Sequence, residues 1–239
     1  MGRIIAIVSG KGGSGKTSFA INIGAAMASR GSSTVLLDMN VGTRNLDIYM
    51  GLENKVLFDL GDVLTGVCDL EKALVRDERF RMLSLLSCPQ YKMINGLTPQ
   101  HVRTVCAKLV ELFEYVIIDC PSGLGSEFIN AVSAADTALL IVTPDHTSIR
   151  NCDVIDRRLA SLGITNRFYA VNRYDLNLSG NGLLPDINYI GRMFTIPLAG
   201  TIPEDPNIHV GNNSGYPIVC NADAPVSMAF MNIARKLMD

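Results

Sequence analysis

The chain has 239 residues, 48% of them hydrophobic and 18% charged, and a formal net charge of -2. Its size and apolar content suit a single domain, 1–239, around one large core. Its near-neutral charge excludes a general attraction to nucleic acid or anionic lipid, so nucleic acid is not an expected partner.

Residues 4–8 form an apolar run too brief to be a signal segment or to cross a membrane. They open a rhythm in which β-branched runs alternate with helix-like stretches. Strands are predicted at 4–8, 34–38, 82–86, 115–119, 138–142, 168–172 and 198–202. Helices are predicted at 16–29, 99–113, 126–133, 149–162 and 226–237, with a short one at 57–64, and the polar stretch 177–186 reads as a surface loop. The alternation predicts an α/β fold, a doubly wound, mostly parallel sheet with ligands bound beyond the carboxyl ends of its strands. Six cysteines stand without CxxC or Cys/His spacing, and His101, His146 and His209 are isolated, so reduced thiols in a cytoplasmic protein are expected.

The first run leads into Gly10-Lys11-Gly12-Gly13-Ser14-Gly15-Lys16-Thr17, the G-x-x-x-x-G-K-[ST] phosphate loop in its strand–loop–helix setting. Glycines let successive N–H groups curl around phosphate oxygens, and the next helix aims its positive end at them. Gly12, Gly13, Ser14, Gly15, Lys16, Thr17 and Ser18 are the expected phosphate side, with Lys16 on the β and γ phosphates and Thr17 on Mg²⁺. Asp119 ends the strand YVIID, where a Walker B carboxylate would hold a Mg²⁺ water, and Gly123 follows it with an N–H for the γ-phosphate. Asp38 ends the second strand and would orient the attacking water or a Mg²⁺ ligand water; strand-end capping is the alternative for both carboxylates.

With the second loop lysine Lys11, the segments LLDMNVGTRNLDIYMGL (36–52), IIDCPSG (117–123) and IPEDPNIHVGNNSGYPI (202–218) make the chain resemble the MinD/ParA family of deviant Walker A ATPases. The RNLD and IPED segments point to its MinD branch. The resemblance implies the SIMIBI type of P-loop fold and an ATP-dependent homodimer with Lys11 reaching the partner's phosphates. It also implies a switch in the spatial regulation of cell division, working with regulatory protein partners. At matching positions, Asn172 and Arg173 would meet the adenine, and Pro203, Glu204 and Asp205 would form the other wall.

The chain departs from the family in two places. Asn40 stands where a second aspartate is usual; an amide holds water but cannot take its proton, so ATP binding with slow turnover is expected. The last helix is expected to pack on the sheet rather than act as a basic, membrane-seeking tail, which argues against membrane contact through it. Three readings stand beside the septum-placing ATPase: a slow ATP-sensing adaptor, a flagellar-number regulator and a ParA-type partition ATPase. An iron–sulfur reductase of the same superfamily would need two cluster cysteines from each subunit, and Cys120 adjoins Asp119 rather than lying further along.

Overall fold

The computed structural model describes residues 2–90 and 96–239. In chain order the elements are β1 Arg3–Val8, α1 Lys16–Ser29, β2 Thr34–Asp38, α2 Leu46–Tyr49, α3 Leu60–Thr65, α4 Leu70–Ala73, β3 Leu74–Arg76, β4 Leu83–Leu86 and α5 Pro99–Leu112. They continue with β5 Tyr115–Asp119, α6 Ser126–Val132, β6 Thr137–Val142, α7 His146–Ser161, β7 Asn166–Tyr174, α8 Leu176–Gly180, α9 Ile187–Arg192, β8 Leu198–Pro203, α10 Pro206–Asn213 and α11 Pro225–Met238. One eight-stranded sheet runs β3-β4-β2-β5-β1-β6-β7-β8. Among the described residues every pairing is parallel except β3 with β4.

Strand alternation divides the core in two. Ala6 and Val8 of β1, Val35 and Leu37 of β2, and Val116 and Ile118 of β5 face α5, α6 and α7. Ile5, Ile7, Leu36 and Ile117 point the other way, onto α1 and α11. Both faces are covered, which is why these strands read as continuous apolar runs. β1 lies between β5 and β6, so the chain winds one way to β2 and β4 and the other way to β7 and β8. Ligand crevices in such sheets open beside that reversal, at the carboxyl end of β1.

The short helices α2, α4, α9 and α10 lie outside the predicted elements, and three further local features differ from expectation. The edge strand β3 pairs only Leu74 to Arg76 with β4 and is too short for a periodic signal. The stretch 177–186 is not all loop, because the Asp175 carboxylate accepts from Asn177 N and Leu178 N and starts α8. The short helix expected at 57–64 begins later, where Asp59 and Asp62 form a capping box.

α11 is a core helix. Phe230, Ile233, Ala234 and Leu237 are buried, and the Phe230 ring meets Phe19 of α1 edge to face at 5.1 Å. Its carboxyl end is held by Arg3, whose Nη1 donates to the carbonyls of Leu237 and Met238 at 3.2 and 2.9 Å. Among the described residues no helix is long and apolar enough to cross a membrane. Phe230→Ala should cost about 3–5 kcal/mol of unfolding free energy, measurable by urea denaturation; a loss below about 1 kcal/mol would contradict this packing.

Candidate functional site

β1 ends at Val8, and the next turn is shaped by what lies against it. A Cβ on Gly10 would sit 2.5 Å from Asn151 Cβ in α7, and Asn151 Nδ2 donates to the Gly10 carbonyl at 3.1 Å. Gly13 and Gly15 have φ of 71° and 97°, a region that side-chain-bearing residues rarely enter. A Cβ on Gly15 would also lie 2.4 Å from Asn172 Nδ2. No side chain caps α1, so the N–H groups of its first turn and its positive dipole end face the loop. Gly12 and Ser14 complete a backbone concavity with the chemistry of an anion site.

Lys16 and Thr17 leave this loop toward the ends of β2 and β5. Lys16 is buried, with Nζ donating to Ser122 Oγ at 2.5 Å, and Thr17 Oγ1 donates to Asp119 Oδ2 at 2.7 Å. The parallel register sets Asp38 level with Asp119, and neither has any exposure. Asn40 lies between them. Its backbone N and its Nδ2 donate to Asp38 Oδ1 at 2.8 and 3.1 Å, and Nδ2 also reaches Asp119 Oδ2 at 2.9 Å.

Lys16 leaves the two carboxylates only partly compensated. Asp38 Oδ2 and Asp119 Oδ1 are buried without a hydrogen-bond partner. Burial first, and the Asp38 carboxylate second, push Asp119 up to about 7. Burial also raises Asp38, against the hydrogen bonds from Asn40. Lys16 is lowered by burial despite the pull of Asp119. Two buried carboxylates with idle oxygens, a hydroxyl and a lysine beside an anion-accepting loop form a donor set that fits Mg²⁺ and a polyphosphate together.

A cleft continues from the loop along the ends of β7 and β8. Gly15, Ser18, Asn172 and Arg173 line one side, and Pro203, Glu204 and Asp205 the other, with His209 and Asn212 of α10 closing it. The Asn172 amide is tied to the loop, donating to the Ser14 carbonyl at 2.8 Å. Arg173 is exposed and holds a left-handed φ of 56°. The Asp205 carboxylate accepts from Asn207 N at 2.8 Å and caps α10, so it shapes the cleft by fixing that helix. The Ser18 hydroxyl accepts from Asn212 Nδ2 at 2.7 Å. Gly123, past Asp119, has φ of 95° and open space where a Cβ would stand.

Lys11 stands apart from the Lys16 group. Its Nζ is 3.2 Å from Asp145 Oδ2, and Asp145 also accepts from Thr143 Oγ1 at 2.6 Å and from Ser148 N at 2.8 Å. Burial alone would raise Asp145, but the hydrogen bonds from Thr143, Ser148 and Lys11 outweigh it and hold the carboxyl below its usual range. The Lys11 side chain is 47% exposed, and an exposed ion pair is worth about 0–1 kcal/mol, so the lysine leaves it readily.

Sequence spacing missed Ser122, Asn151, Asn212 and the Lys11–Asp145 pair, all of which are made by the winding of the sheet. Only Ser122 carried a local signal, lying three residues beyond Asp119 in the PSG turn. Cys120 is fully buried, and burial pushes its thiol well above the ordinary value. It cannot bridge a cluster between subunits, which removes the iron–sulfur reading.

The AAA domain family (AAA_31) matches residues 2–161. The septum site-determining protein MinD of Bacillus subtilis (strain 168) is 38% identical over 240 residues, covering 100% of this chain and 90% of the relative. Among solved structures, the MinC:MinD cell division protein complex of Aquifex aeolicus superposes with a TM-score of 0.92 at 36% identity, covering 99% of this chain and 95% of the other. The septum site-determining protein MinD of Pyrococcus horikoshii OT3, complexed with Mg-ADP, superposes with a TM-score of 0.89 at 27% identity, covering 99% and 96%.

The idle carboxylate oxygens make a direct prediction. Asp38→Asn keeps an acceptor for Asn40 while removing one of two facing buried charges. Without metal or nucleotide it should therefore raise the unfolding free energy by about 1–2 kcal/mol. A destabilised variant in guanidinium titrations would contradict the electrostatic picture.

Proposed function

This chain belongs to the MinD family of P-loop ATPases; it is an ATPase of septum-site placement, and we propose that its site works as an ATP-driven dimerisation switch. One observation carries the reading: a lysine, a hydroxyl and two carboxylates with idle oxygens converge beside an uncapped helix at the carboxyl ends of β1, β2 and β5.

In this reading Lys16 and the N–H groups from Gly12 to Thr17 hold phosphate oxygens, with Ser18 bordering them. Thr17, Asp38 and Asp119 would hold Mg²⁺, the two carboxylates through water. The ion would add positive charge to that of Lys16 beside the facing carboxylates. Gly123 offers its N–H at the γ-phosphate. Asn172, Arg173, Pro203 and Glu204 border the adenine, and Asp205 holds α10 in place behind them. Lys11 leaves Asp145 for the phosphates of a second subunit, which makes association depend on the nucleotide. The Pyrococcus relative was solved with Mg-ADP and the Aquifex relative with MinC. We extend to this chain a regulatory protein partner of the MinC kind. α11 spends its apolar face on the sheet, so contact with a lipid surface is not assigned to it.

Asn40 favours slow turnover. Its amide already holds both carboxylates and has no basic oxygen to accept a proton from water.

In size-exclusion chromatography, Mg·ATP should shift the wild type from monomer to dimer while ADP leaves it monomeric. Lys16→Ala should abolish nucleotide binding, and Lys11→Ala should bind ATP yet stay monomeric. A wild type that elutes identically with both nucleotides would remove the switch.

Basal hydrolysis should be low and should rise in Asn40→Asp by about tenfold or more, since a positioned general base contributes about 10²–10⁴-fold. Equal rates for the two proteins in a phosphate-release assay would show that Asn40 does not limit turnover.

A further inference from the structure

Arg79, in the turn between β3 and β4, joins three segments far apart in sequence. Its guanidinium grips the fully buried Asp77 with both arms, Nε to Oδ1 at 3.0 Å and Nη2 to Oδ2 at 2.6 Å. The same group donates from Nη2 to the Met50 carbonyl at 2.5 Å and from Nη1 to the Gly215 carbonyl at 2.6 Å, and it lies 5.1 Å from the centre of the Tyr216 ring. The segments it joins touch directly: a Cβ on Gly215 would stand 2.6 Å from Gly51 Cα. A planar cation with donors on fixed vectors meets all these partners at once, and a lysine could not.

Each segment leads to a different half of the candidate site. Gly215 and Tyr216 follow α10, whose Asn212 holds Ser18 and closes the base cleft. Met50 and Gly51 follow α2, the end of the segment 40–52. That segment begins at Asn40, whose amide holds Asp38 and Asp119. Base cleft, α10, Arg79, α2 and the metal-side carboxylates thus form one unbroken series of contacts.

We propose that Arg79 is a positioning residue that couples occupation of the base cleft to the placement of segment 40–52 at the phosphate end. This rests on the nucleotide reading given above and goes beyond it: the adenosine half of the ligand itself steadies the segment, before any γ-phosphate acts on it.

The test uses AMP, which has a base but no γ-phosphate, and inorganic tripolyphosphate with Mg²⁺, which has no base. Amide hydrogen exchange of residues 46–52 is measured in the wild type, in Arg79→Lys, and in the double variant Asp77→Asn/Arg79→Gln, which removes the buried charge together with its partner. Calorimetry checks binding in parallel, and thermal melting checks that each variant is folded. Saturating AMP should slow exchange of 46–52 at least threefold in the wild type. In either folded variant AMP should still bind, with affinity lower by about the same factor, and should no longer slow exchange. Tripolyphosphate should protect the segment in all three proteins. Equal AMP protection in wild type and variants, as a merely structural staple would produce, overturns the proposal. So does AMP that binds the wild type without protecting 46–52. If calorimetry finds no AMP or ATP binding to the wild type, the nucleotide reading itself falls and takes this one with it.

Discussion

Asp38 and Asp119 end adjacent parallel strands at the same level and out of contact with water, and the rest of the nucleotide edge is arranged around that placement. Two like charges so held repel each other and lose their hydration, a cost met in part by the donors packed against them. Thr17 gives Asp119 one hydrogen bond, Asn40 bridges both carboxylates, and Lys16 stands within electrostatic reach. Lys16 and Thr17 arrive on α1 and Asn40 from the end of β2, so the placements of the loop, the β2 end and the β5 turn are mutually dependent. A third carboxylate at position 40 would add an acceptor where the site already has idle ones. The amide found there trades proton-accepting capacity for cohesion between the two strand ends.

The strands that form the middle of the sheet were legible because burial on both faces writes them as uninterrupted β-branched runs; β2 and β5 coincide with the predicted 34–38 and 115–119. The phosphate loop was legible because its glycines and lysine are dictated locally, by backbone φ and by the ligand's own shape. Short elements were not. α10 hides in a stretch with Pro206 and Gly211, and only the Asp205 cap reveals it. β3 consists of three residues and owes its pairing to β4. Asn40 was singled out for the proton it cannot accept, whereas its bridging role follows from register, which no spacing along one strand encodes. For the same reason Arg79 drew no attention: its partners are Asp77, Met50 and Gly215, and only the first is near it in the chain.

The two ends of the chain meet on one face of the sheet. Arg3 caps α11, and Phe230 of α11 packs on Phe19 of α1, the helix that carries Lys16 and Thr17. β1, the strand that launches the phosphate loop, has β5 and β6 as neighbours, and both follow far along the chain. During synthesis from the N-terminus, the loop and its helix therefore emerge first and wait longest for their packing. The part of α1 that Phe19 presents to Phe230 stays uncovered until α11 leaves the ribosome, and contacts so distant in sequence form slowly. Full packing of the helix that carries Lys16 and Thr17 accordingly waits for α11. A nascent chain that already contains every phosphate-loop residue still lacks the helix that holds them in place, and in that interval it presents to chaperones an apolar surface that the folded protein conceals.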